Sequence, residues 1–149
     1  MNSAAKLSRW RIQLLWTLQG LFGLRVLGQV YAGLYAPHWL PSMPEWYSGI
    51  VPYPVLLPAQ IVLLMFMTIV SYDNSRQAGR FCVSRPTTRR RLAALSLVYA
   101  LVMVARYALT MYLVPEARWS RGVIPIGFHF VLAGYVFVLS RPSHVGRPA

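Results

Sequence analysis

The sequence predicts an all-α fold: a four-helix transmembrane bundle with both termini on the cytoplasmic side. Three observations predict it. Hydrophobic residues fill 56% of the 149 positions and charged residues only 12%, about half the charged share of a soluble domain. The apolar residues are gathered into four blocks of about 18 to 23 residues, and about 20 helical residues cross a hydrocarbon core. The arginines fall mainly between those blocks and almost all on one side. A chain of 149 residues makes one compact unit and not two, so a single integral membrane domain is expected over 1–149.

The blocks run from Gln13 to Tyr35, Tyr53 to Tyr72, Leu92 to Val114 and Val123 to Ser140. Within a bilayer the backbone must satisfy its own hydrogen bonds, so each block is expected to be a helix. Strands of a membrane barrel would alternate polar and apolar residues, and these do not. Pro54 and Pro58 fall in the first turns of the second span, and Pro125 opens the fourth, where proline is tolerated.

Charge sorts the connections. Lys6, Arg9 and Arg11 precede the first span. Arg76, Arg80, Arg85, Arg89, Arg90 and Arg91 lie between the second and third, and Arg141 and Arg147 follow the fourth. The opposite side has only Arg118 and Arg121. This asymmetry places the arginine-rich loop and both termini in the cytoplasm, and a bacterial inner membrane is the expected location. A basic stretch from Lys6 to Arg11 before an apolar run also suits a signal peptide. Arg25 and Gln29 interrupt that run just before the one loose cleavage site, so an uncleaved first helix is expected.

The first outer connection, Ala36 to Pro52, has no Lys or Arg but contains Trp39, Trp46, Tyr47, Pro37, Pro41 and Pro44. Rings of this kind favour the headgroup zone, so the segment is expected to fold against the outer surface as an aromatic anchor or a partial lid. The tail 141–149 is expected to be flexible. The lone Cys82 is expected to be a free thiol, because one cysteine cannot form an internal disulfide.

Two arginines lie inside spans, Arg25 in the first and Arg106 in the third. A central arginine costs about 2.5 to 3.5 kcal/mol on insertion scales, so each needs a partner. At about 1.5 Å per residue, Arg25 lies roughly 15 Å from the outer end of its span, Arg106 roughly 12 Å and His129 about 9 Å. Helical spacing groups Arg25, Gly28, Gln29 and Ala32 on the first span, and Gln60, Leu64, Met67 and Ser71 on the second. It groups Ser96, Tyr99, Met103, Arg106 and Thr110 on the third, and Gly122, Ile126, His129, Ala133 and Ser140 on the fourth. Turning these faces inward makes a polar pocket of Arg25, Gln29, Gln60, Tyr99, Arg106 and His129. Glu45 and Glu116 are the acids that could neutralise it from the outer side.

A guanidinium presents five donors in a fork suited to carboxylate or phosphate. The pocket is therefore expected to hold a lipid, a quinone or another oxygen-rich group, unless the arginines serve only to fix helix register. No cofactor is assigned. Haem would need His129 paired with His38, since His144 is on the wrong side, and that geometry is awkward. No paired carboxylates, nucleophile elbow, phosphate-binding glycine loop or metal-binding histidine pair occurs, so neither catalysis nor a metal is expected. The net charge of +12 points to anionic lipid headgroups rather than nucleic acid. The leading expectation is a non-catalytic accessory subunit or lipid- or quinone-binding module, alone, as a homo-oligomer or within a larger complex. The second is a small membrane enzyme or anion or lipid transporter, acting on a phosphate- or carboxylate-bearing lipid through Arg25, Arg106 and His129.

Overall fold

The structure, a computed structural model, describes residues 3–40, 46, 52–83, 85–113 and 123–142, with side chains from Arg9 in the first helix and from Ile124 in the last. Among them it contains four helices and no strand: α1 (Ser3–Tyr35), α2 (Tyr53–Arg76), α3 (Pro86–Leu113) and α4 (Val123–Ser140). Glu45, Glu116, Gly122, most of the 36–52 connection and the tail 143–149 lie outside the described residues.

The helices outrun three of the apolar blocks. α1 begins ten residues before Gln13, α2 continues to Arg76, and α3 begins at Pro86 rather than Leu92. Arg, Lys and Gln are good helix formers, so their runs extend each helix past its apolar stretch. Pro54 sits in the first turn of α2, where its missing N–H costs nothing; Pro58 lies inside the helix. Two helices, α2 and α3, are long and apolar enough to cross a membrane. α4 is apolar but has only 18 residues, and α1 is long but carries Gln13, Gln19, Arg25 and Gln29.

α4 is the hub. It packs on α3 and on α1, and α1 packs in turn on α2. The core is the seam between α1, α2 and α4, formed by Leu15, Phe22, Val26, Met67, Val70, Tyr135, Val138 and Leu139. On α1 the covered positions Arg11, Leu15, Phe22, Arg25, Gln29 and Ala32 form one stripe, with steps of three and four residues that keep them on one face. On α3 only Ser96 and Met103 are buried, both on the polar stripe. The opposite faces are bare and apolar, with Leu24, Leu27, Leu34, Val62, Leu97 and Leu101 all more than half exposed.

Polar side chains tie the helices together at the end that gathers Arg11, the C-termini of α2 and α4 and the start of α3. Arg11 donates from Nε to the Val138 carbonyl at 3.2 Å and from Nη2 to Leu139 O at 3.0 Å and Asn74 Oδ1 at 2.9 Å. Arg89 donates to Ser140 O at 3.0 Å. The last carbonyls of α4 lack intrahelical partners and carry partial negative charge, so two guanidinium groups satisfy both needs. Nearby, Tyr135 donates its hydroxyl to Met67 O, and that hydroxyl also pairs with Ser71. Asn74 donates to Val70 O and Phe81 O. Gln19 reaches Thr68 at 2.8 Å and Trp16 reaches Ser75 at 3.2 Å, joining α1 to α2.

The turn after α2 is shaped by Gly79. Its φ is +102°, and a Cβ there would stand 2.4 Å from the Asp73 carboxylate, which accepts the Phe81 N–H at 3.0 Å. A side chain at position 79 is therefore strained twice, by its dihedral and by the carboxylate. Gly79→Ala is expected to destabilise the fold by about 1–3 kcal/mol, read as a lower thermal midpoint in detergent and faster tryptic cleavage at Arg80. An unchanged midpoint would show that the turn is free to rearrange.

Candidate functional site

The described members of the sequence-derived polar set fall around one region of the α1–α4–α3 seam, with α2 closing one side. Arg25 and Gln29 are one helical turn apart on the buried stripe of α1. Arg25 Nη1 donates to Gln29 Oε1 at 3.2 Å and Nη2 to the Trp46 carbonyl at 2.7 Å. Its guanidinium also lies 5.4 Å from the centre of the Phe128 ring on α4, a cation–π distance. Arg25, from α1, Gln60, from α2, and His129, from α4, line a cleft of about 230 Å³ with Phe22, Leu63 and Phe128.

From the other side of α4, the Tyr99 hydroxyl pairs with His129 Nδ1, and the two rings meet edge to face. Arg106 is half-buried one α3 stripe position beyond Met103. The imidazole is oriented by the Tyr99 phenol. Arg25, Gln60 and His129 are the members brought to a common cavity. Tyr99 reaches His129 from α3, Arg106 is half-buried on the same stripe without lining the cleft, and Gln29 stands behind Arg25.

The cleft is incompletely satisfied. Among the described residues, Arg25 Nε, Gln29 Nε2 and Gln60 Oε1 are buried with no hydrogen-bond partner. Each such atom costs about 1–3 kcal/mol when left unmet. An amide can present either its oxygen or its nitrogen, so Gln60 can donate or accept. The unmet groups therefore suit a ligand rich in acceptor oxygens.

Trp46 partly covers this site. It is buried, its ring end lies over Gly28, and its carbonyl takes the Arg25 bond. By contrast, Trp39 is 68% exposed and stacks loosely on Tyr31. One aromatic of the α1–α2 connection thus packs down onto α1 while another is exposed. A Cβ on Gly28 would approach Trp46 Cη2 to 2.8 Å. Gly28→Leu is expected to push the indole off and to cost about 1–3 kcal/mol through overpacking. Gly20→Leu, where nothing stands within 4 Å, is the control and should leave the thermal midpoint unchanged. Equal effects at both glycines would mean that Trp46 is not seated there.

Sequence reasoning treated Arg11 as one of the cytoplasmic charges, yet it is 2% exposed and bridges α1, α2 and α4. Asn74 and Tyr135 were likewise passed over. The signal was present in the spacing: Arg11 continues the Leu15–Phe22–Arg25–Gln29 stripe by one turn, and Asn74 continues Gln60–Met67–Ser71 by three residues. His38 is exposed just after α1, and Cys82 is a half-buried free thiol in the α2–α3 turn. Among the described residues no group of three or more His, Cys, Asp or Glu is placed to hold a metal ion.

No protein family, no curated protein and no solved structure matches this chain. What the fold and site define is a class: an all-α chain with, among the described residues, four helices, apolar outer faces and a small polar cleft in which Arg25 Nε and Gln60 Oε1 are unmet.

Proposed function

We propose that the chain crosses a bacterial inner membrane four times, both ends cytoplasmic, and binds an oxygen-rich amphiphile in the Arg25–Gln60–His129 cleft. Quinone carbonyls and lipid phosphate or carboxylate groups have the required chemistry. The four-span reading is supported by the apolar outer faces of all four helices and by the exposed Arg76, Arg80, Arg85, Arg90, Arg91 and Arg141 at one end. Large bare apolar surfaces of this kind mark contact with lipid or with other membrane helices. Arg76 lies against Tyr72 and Arg141 against Phe137, a pairing suited to the membrane–water boundary, where rings and basic groups anchor helices.

The observation that carries the ligand reading is the pair of unpartnered buried polar atoms, Arg25 Nε and Gln60 Oε1, on residues that line one cleft, with Gln29 Nε2 unmet behind Arg25. An acceptor oxygen placed there meets Arg25 Nε, and Gln60 and His129 stand ready to orient it. At about 230 Å³ the cleft is smaller than the roughly 300–1,000 Å³ of sites that enclose a whole drug-sized molecule. It therefore takes a head group and leaves a tail in the lipid. Among the described residues the lining offers donors and acceptors rather than a nucleophile beside a base, and a binding role is the reading these groups support.

Native mass spectrometry of protein extracted in a mild detergent tests this. The expected result is one bound small molecule per chain, retained at collision energies that strip loosely held lipid. Folded protein with no such adduct overturns the binding reading. A stable larger partner in the same spectra, with no ligand, assigns the chain instead as an accessory subunit.

A further inference from the structure

Among the described residues α2 and α3 make no direct backbone approach to each other; α4 packs on α3, and α2 packs on α1. The gap is a groove of about 780 Å³, within the roughly 300–1,000 Å³ range of small-molecule sites. Its walls are apolar, with Phe66 on α2, Leu95 on α3 and Val136 on α4. Phe81 folds back from the turn onto Phe66, ring centres 5.3 Å apart, and closes the base. At that base stand Arg80 and Arg85, both exposed. The start of α3 at Pro86 adds the partial positive charge of a helix N-terminus. No carboxylate lines the groove, and the nearby Asp73 carboxylate is turned to the Phe81 N–H.

An apolar trough ending at two guanidinium groups matches one kind of molecule found beside every membrane helix. We infer that the groove holds an anionic phospholipid from the leaflet on the side of the α2–α3 turn. Its phosphate sits between Arg80 and Arg85, and an acyl chain lies along Phe66, Leu95 and Val136. The charges select the headgroup, and the chain fills a space that would otherwise leave its lining without van der Waals partners. The inference rests on the membrane-spanning reading and is independent of what the Arg25 cleft holds.

The full chain in mild detergent is titrated with phosphatidylglycerol and with phosphatidylcholine of identical acyl chains, and bound lipid is counted by native mass spectrometry. The first phosphatidylglycerol is expected to bind about tenfold tighter than phosphatidylcholine. Arg80→Gln with Arg85→Gln is expected to weaken it about fivefold or more, whereas Arg90→Gln with Arg91→Gln, equal in charge but away from the groove, changes it less than about twofold. Leu95→Trp, which fills the trough without altering charge, is expected to reduce occupancy by both lipids. Equal affinity for the two lipids, or equal loss in the two double variants, overturns the inference by showing only diffuse attraction. Release of the chain from native membranes by alkaline carbonate, without detergent, would instead overturn the membrane reading itself.

Discussion

Arg25→Gln is expected to strip the bound amphiphile from the purified protein, lowering occupancy by at least about tenfold. A hydrogen bond to a charged group contributes about 1.5–3 kcal/mol, and 1.4 kcal/mol is a factor of about ten. Native mass spectrometry at fixed ligand concentration reads the loss directly. The companion variant Arg25→Met separates binding from architecture. Replacing a buried charge by an apolar side chain of similar length is often neutral or stabilising. Among the described residues Arg25 donates to Gln29 and to the Trp46 carbonyl, and its Nε is unmet. If the guanidinium is there for a ligand, Arg25→Met empties the cleft while the thermal midpoint of ligand-free protein holds or rises. If it is there to pin Trp46, the midpoint falls and there is no ligand to lose. Both outcomes are visible in one pair of measurements.

Arg11→Gln is expected to lower stability by about 2–4 kcal/mol, the largest structural effect of any exchange at the basic N-terminus. Three acceptors, Val138 O, Leu139 O and Asn74 Oδ1, lose a donor together. Two of them are terminal carbonyls of α4, whose partial negative charge is then left facing a buried seam. Arg9→Gln is the matched control: it removes the same charge two residues away, from an exposed side chain, and leaves packing intact. Any effect on membrane orientation is common to both variants, so their difference isolates the cap. The check is detergent-solubilised thermal unfolding. Equal midpoints for the two variants would show that the Arg11 bonds are replaced by solvent.

The inward faces were legible because helices repeat every 3.6 residues and the polar residues inside apolar stretches obey that period. Ser96 and Met103 on α3, and Gln60, Met67 and Ser71 on α2, are buried, as their spacing implied. Depth places Arg25, Arg106 and His129 at similar heights; of these Arg25 and His129 line the cleft, with Gln60 from α2, and Arg106 does not. Two things did not follow. The role of Arg11 depends on the end of another helix, and backbone carbonyls carry no residue identity that a sequence can display. The hub position of α4 depends on which neighbours each helix chooses, and a uniformly apolar stretch does not encode that. The open side between α2 and α3 was hidden for the same reason.

Because α4 packs on both α1 and α3, part of the polar lining made before it lacks its final neighbours until the last helix is in place. Ser71 gains the Tyr135 hydroxyl, Arg25 the Phe128 ring, and Arg11 the Val138 and Leu139 carbonyls only then. A chain halted after Leu113 therefore presents these groups without those partners, and the eighteen residues of α4 complete the lining.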